Sequence, residues 1–175
     1  MNPKQLCLTM LWHLKMCREN VLSKPKSSRD AAQYNITVKL QTISFPLRGD
    51  VDIAESAVAL DGLYLEFISV IIRNNKKVVG AAINCNGRAL GFTSDRTRNN
   101  INIVRAAVEN NGLALEFASS KIRDNPNVVQ IAVEQNGLAL EFASAGLRSD
   151  VDLVRTAIKS DRRAAQFSSV SGNII

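Results

Sequence analysis

Glycine recurs at Gly62, Gly87, Gly112 and Gly137, each 25 residues after the last, and an Asp or Asn precedes each one (Asp61, Asn86, Asn111, Asn136). Phe keeps the same beat at Phe67, Phe92, Phe117, Phe142 and Phe167. So do Arg (Arg48, Arg73, Arg98, Arg123, Arg148) and Ser (Ser69, Ser94, Ser119, Ser144, Ser169). A fixed period of about 20 to 50 residues marks stacked repeats, each unit too small to bury its own apolar face.

Counted from Arg to Arg, five units run 48–72, 73–97, 98–122, 123–147 and 148–172. The third position of each is Asp50, Asn75, Asn100, Asn125 or Asp150. Such side chains accept hydrogen bonds from the free amides at a helix start. Pro126 follows directly in the fourth unit, and proline is favoured at the first helical position. A helix of about ten residues is therefore expected, as at 101–110, with Val104, Ala107 and Val108 facing inward and Ile103 beside them. Ala57, Ala82, Ala107, Ala132 and Ala157 hold one position in every unit, which predicts close approach between neighbouring helices. Between them Glu55, Gly80, Arg105, Gln130 and Arg155 vary freely and read as exposed.

The Asn-Gly pair is expected to end this helix, since both residues tolerate a left-handed backbone. The same pair favours β-hairpins, but only between alternating strands, and both flanks here carry helical spacing. A second short helix is expected at about 113–119, with Leu113 and Phe117 four apart and Leu115 and Ala118 adding to its packing face. The five phenylalanines should then line one continuous core. A two-turn helix is not stable alone, so each unit must pack on the next. The expected fold is all-α: a short superhelical, solenoid-like stack of 25-residue helix-pair repeats.

Leu40, Ile43, Ser44 and Leu47 match Leu65, Ile68, Ser69 and Ile72 in register, so residues 35–47 read as a degenerate half-repeat, an N-terminal cap. The last unit carries Arg162 for Gly, and Arg163 and Ala165 for Leu, the polar outer face expected of a C-terminal cap. Upstream lie an N-terminal amphipathic helix (1–22) and a polar basic linker (23–34). Residues 6–12 have the apolarity of a signal-peptide core, but His13, Lys15 and Arg18 follow at once with no small-residue cleavage site. No stretch approaches the ~20 apolar residues of a membrane-spanning helix.

Charge is unevenly spread. The formal net is +6, yet residues 1–47 hold seven Lys/Arg against two Asp/Glu, and residues 48–175 hold 15 against 14. The units alternate, with net charges of −4, +4, +1, −2 and +2. Nucleic-acid binding rests on clustered phosphate-neutralising cations, and a nearly neutral, mixed surface suits a protein partner better.

Catalytic and metal chemistry find little support. Cys7, Cys17 and Cys85 are an odd number without motif spacing and read as reduced thiols in a cytoplasmic setting. His13, the single histidine, lies four residues before Cys17, but two ligands are fewer than a zinc site takes. No nucleophile–base pair is visible in the units, and the glycines are too far apart for a phosphate loop. No enzyme activity, metal or cofactor is expected. The recurring serines read as hydroxyls that cap the short helix or bond helix carbonyls. The arginine ladder (Arg48, Arg73, Arg98, Arg123, Arg148) carries two readings. Each guanidinium can donate to carbonyls at the end of a short helix, or the row can present forks to carboxylates or phosphates along a partner-binding edge.

The run N-x-x-V-V-x-x-A-V-x-x-N-G-x-A-L-E-F-A-S-x-x-L-R at 125–148 resembles the short helical repeat known as domain of unknown function 4116. The resemblance covers 48 to about 170; unit two departs from it, with Arg88, Gly91 and Thr93 for Leu, Glu and Ala. That family has no established activity and no assigned catalytic residues. It occurs in intracellular bacteria and protists, so delivery into a host cell enters by resemblance only, and what the resemblance implies is a partner-binding role. Residues 128–141 also resemble the DNA-reading repeats of plant-pathogen transcription activators, but those follow a duplex with a longer period, a geometry that a 25-residue period cannot reproduce. The expected function is a non-enzymatic scaffold or adaptor for a protein partner. The alternative is a nucleic-acid-binding helical repeat protein, with a small regulatory enzyme more distant.

Overall fold

The computed structural model describes residues 50–170. The N-terminal helix, the linker, the half-repeat and Arg48 lie outside the described residues, as do the last two positions of the fifth unit. Among the described residues there is no strand, and no helix is long and apolar enough to cross a membrane.

Five ten-residue helices appear where the caps place them: α1 (Val51–Leu60), α2 (Lys76–Cys85), α3 (Ile101–Asn110), α4 (Pro126–Gln135) and α5 (Val151–Ser160). Asp50, Asn75, Asn100, Asn125 and Asp150 each accept from amides of the first turn, a contribution of about 1 kcal/mol per cap. Pro126 occupies the first turn of α4.

The second helix is a 3-10 helix, not an α-helix: Gly62–Phe67, Gly87–Phe92, Gly112–Phe117, Gly137–Phe142 and Arg162–Phe167. With three residues per turn, its buried positions follow a spacing of three. Leu115 and Ala118 face inward, and Ala114 joins them fully buried. A third element spans each of the four unit boundaries: Ile72–Asn74, Asp95–Arg98, Ser120–Arg123 or Leu147–Ser149. Ser94 and Ser119 cap this turn, not the second helix, accepting from the amides of Thr97 and Ile122.

Contacts run from each unit to the next, helix to helix and 3-10 segment to 3-10 segment. The core is a spine of small and branched residues. Ala57, Ala82, Ala107, Ala132 and Ala157 are fully buried, as are Leu65, Leu90, Leu115 and Leu140. Burying one such leucine is worth about 1.5–3 kcal/mol. The phenylalanines correct the expectation of a continuous aromatic core. Phe67, Phe92, Phe117, Phe142 and Phe167 are each half-buried, packed along the margin of the spine. The 3-10 turn is the reason: with three residues per turn the inward row is Gly112, Leu115 and Ala118, which leaves both Leu113 and Phe117 half-buried beside it.

Candidate functional site

The joints between units explain the 25-residue beat. A Cβ added at Gly62, Gly87 or Gly137 would stand 2.2 Å from the carbonyl oxygen of Ala82, Ala107 or Ala157, and at Gly112 it would stand 2.3 Å from that of Ala132. Each glycine thus lies against the backbone of the next unit's helix. None of the four has a positive φ, and the preceding Asp61, Asn86, Asn111 and Asn136 are extended at φ −151 to −153. The expectation of a left-handed helix end is therefore corrected: proximity, not backbone handedness, excludes a side chain there.

Sequence reasoning passed over the last residue of each helix. The Gly87 amide donates to Asn110 Oδ1 at 2.8 Å, Gly112 to Gln135 Oε1 at 2.6 Å and Gly137 to Ser160 Oγ at 3.1 Å. Asn110 Nδ2 then donates back to the Asn84 carbonyl at 3.0 Å. One side chain thereby satisfies an amide and a helix-end carbonyl of the previous unit, both of which would otherwise be orphaned. The signal in the sequence was weak because the residue type changes along the array (Leu60, Cys85, Asn110, Gln135, Ser160), and only the last three bond the glycine amide of the previous unit.

The arginine ladder is not uniform. Arg73 follows the carbonyl reading: its Nε donates to Ile68 O at 2.8 Å and its Nη2 to Glu66 O at 2.5 Å. Arg98 instead pairs with Asp95. The Nε atoms of Arg123 and Arg148 are buried without a hydrogen-bond partner. The position has a backbone role as well, because the carbonyls of Arg98, Arg123 and Arg148 accept from the amides of Ser119, Ser144 and Ser169, near the end of the same unit, at 3.1, 3.0 and 2.9 Å. Arg48 lies outside the described residues. The described arginines are half-buried and so present no open row of forks.

A concave feature is formed among the described residues. Between α2 and α3 lies a cavity of about 330 Å³. Val79, Ile83, Ile103 and Ala106 give it an apolar floor, and Lys76, Asn84, Asn100 and Asn102 supply polar groups around it. Its α2 residues, including Gly80, recur at spacings of three and one, a single helical face. Gly80 opens it: a Cβ there would meet nothing within 4 Å, whereas the other units place Glu55, Arg105, Gln130 and Arg155 at this position. Lys76 and Lys77 stand in the first turn of α2, which has no acidic residue. A helix N-terminus favours anions, so α2's own folding gains nothing from this cation pair. In α1 and α5 the first turn carries Asp52 and Asp152.

Among the described residues no three His, Cys, Asp or Glu side chains come together as metal ligands. His13 and Cys17 lie outside them. The clearest titration shift is at the far end of the array, where the Arg163 side chain donates to Asp161 and holds that carboxylate below its usual range. Both groups are at the surface, and the pair shapes the end of the stack, not the cavity.

A family described as Domain of unknown function (DUF4116) matches residues 50–98, 75–123, 100–148 and 125–171, overlapping windows in step with the 25-residue units. No curated protein and no solved structure matches the chain. The chain belongs to this family.

Proposed function

We propose that this member of the DUF4116 family is a non-enzymatic scaffold that engages a protein partner through the groove between α2 and α3. The observation that carries the reading is the contrast between joints and groove. Residues that hold units together repeat (the joint Gly and the buried Ala), while the outward position Gly80 departs from its four equivalents and leaves an apolar floor open. A break in the repeat that folding does not require is where recognition is expected. The mixed charge of the array adds support, because a polyanion reader needs an unbroken basic track, and units one and four are net acidic.

The test is affinity capture by the full chain from nuclease-treated extract, with wild type beside Gly80→Gln, the residue unit four carries at this position. Polypeptides held by wild type and released by the variant support the reading. A salt titration on a mixed-sequence duplex addresses the nucleic-acid alternative. The expected affinity is no tighter than the non-specific range of ~10⁻⁴–10⁻⁶ M at physiological salt, with its contacts in the basic residues 1–47. Submicromolar duplex binding that survives deletion of residues 1–30 would replace the scaffold with a nucleic-acid binder.

A further inference from the structure

We infer that the occupant of the α2–α3 groove is a short acidic-aliphatic segment of another protein: one aliphatic side chain seated on Val79, Ile83 and Ile103, with a carboxylate beside it on Lys76. This rests on the scaffold reading and names the chemistry of its partner. A volume of about 330 Å³ is near the lower bound of ligand pockets, a size that takes a side chain or two and not a folded domain. The floor is apolar, so the residue that enters it is aliphatic.

Charge selects what flanks that residue. Units two and three, which form the groove, carry net charges of +4 and +1. The nearest cations stand at the start of α2, where they oppose the helix dipole. A bound carboxylate would relieve that opposition, and the start of α3, capped by Asn100 at the same groove, adds partial positive charge. The exposed amides of Asn84 and Asn102 can each donate and accept, which suits the backbone of an extended segment. The acidic groups of the neighbouring helices do not cancel this field. Glu109 on α3 is paired with Arg105 at 2.9 Å, and Asp52 and Glu55 belong to α1, one helix removed from the cavity lining. The same charge argues against this chain's own leader as occupant, because residues 1–47 hold seven Lys/Arg against two Asp/Glu.

The experiment is selection of a random-peptide display library on the full chain, followed by anisotropy titration of the enriched peptides. Enriched sequences are expected to place Asp or Glu beside Leu, Ile or Val. Gly80→Gln should weaken them at least about tenfold without lowering the melting temperature, since a helical glycine is replaced. Lys76→Glu should weaken them similarly and also remove the salt dependence of binding. Basic or non-aliphatic consensus peptides, equal binding to Gly80→Gln, or no enrichment at all would overturn the inference. The two readings fail separately. Proteins held by wild type and released by Gly80→Gln, with no acidic-aliphatic peptide enriched, would keep the groove scaffold and overturn only the chemistry of its occupant; proteins captured equally by both would overturn the groove reading as well. Loss of all protein capture by wild type would remove the scaffold itself.

Discussion

Replacing Gly112 by Ala places a methyl group 2.3 Å from the Ala132 carbonyl oxygen and 2.9 Å from Gln135 Oε1. Ordinary contact would need the two units to separate by about 1 Å at a close-packed joint. Overpacking of this kind costs about 1–3 kcal/mol. The Gly112 amide also donates to Gln135 Oε1, and losing that bond adds about 0.5–1.5 kcal/mol. Together they give about 2–4 kcal/mol, against a total of about 5–15 kcal/mol for a domain. Urea denaturation followed by far-ultraviolet circular dichroism should show a midpoint lower by about 1–2 M at a slope near 2 kcal/mol per molar. The internal control is the same substitution at Gly80, where the added methyl meets nothing within 4 Å. There Ala should stabilise by about 0.5–1 kcal/mol, the usual gain over glycine inside a helix. Opposite signs for one substitution at two glycines separate proximity from propensity. Equal effects at both sites, or a neutral Gly112→Ala, would refute the close-approach reasoning.

Ala107→Pro should break α3 and cost about 3 kcal/mol or more; loss of cooperative melting is the readout, and melting like the parent's would remove the helix assignment. Phe117→Ala should cost about 1–3 kcal/mol, less than the 3–5 of a fully buried aromatic, because Phe117 is half-buried with the Arg88 guanidinium 5.7 Å over its ring. Denaturation of the single variant measures it, and a cost above about 4 kcal/mol would restore the aromatic core. Asn110→Ala should destabilise by about 1–2 kcal/mol, since Asn110 satisfies both the Gly87 amide and the Asn84 carbonyl. Asn110→Ser, the residue of unit five, should recover part of that loss; identical stabilities for the Ala and Ser variants would show that the bridge contributes nothing.

The repeat period and the caps were legible because they rest on local chemistry. Asn100 and Pro126 announce a helix start whatever packs above them, and Ala107 repeated in register announces a tight interface. What escaped the sequence depends on tertiary detail. Gly112 looked like a left-handed helix end because Asn-Gly serves that role so often, and only the position of the Ala132 carbonyl shows why a side chain is excluded. A run such as GLALEF fits a four-residue spacing as well as a three-residue one, so the 3-10 helix and the half-buried place of Phe117 were hidden. The polar bridge at Asn110, Gln135 and Ser160 was masked by its changing residue type and by Leu60 and Cys85 at the same position. Gly80 was visible only as a variable outer position. Its meaning comes from the empty space above it and from the α3 residues opposite. Arg162 is the converse case: it stands where a glycine would be needed, so a further unit docked in the same geometry would collide with its side chain.

The most direct measurement is photo-crosslinking in extract from the full chain carrying a diazirine lysine analogue at position 76, at the rim of the groove, or at position 151, its exposed counterpart on α5. A protein scaffold working through the α2–α3 groove predicts discrete adducts from position 76 that protease removes and nuclease does not, and none from position 151. Adducts that nuclease removes, or equal labelling from both positions, would contradict it.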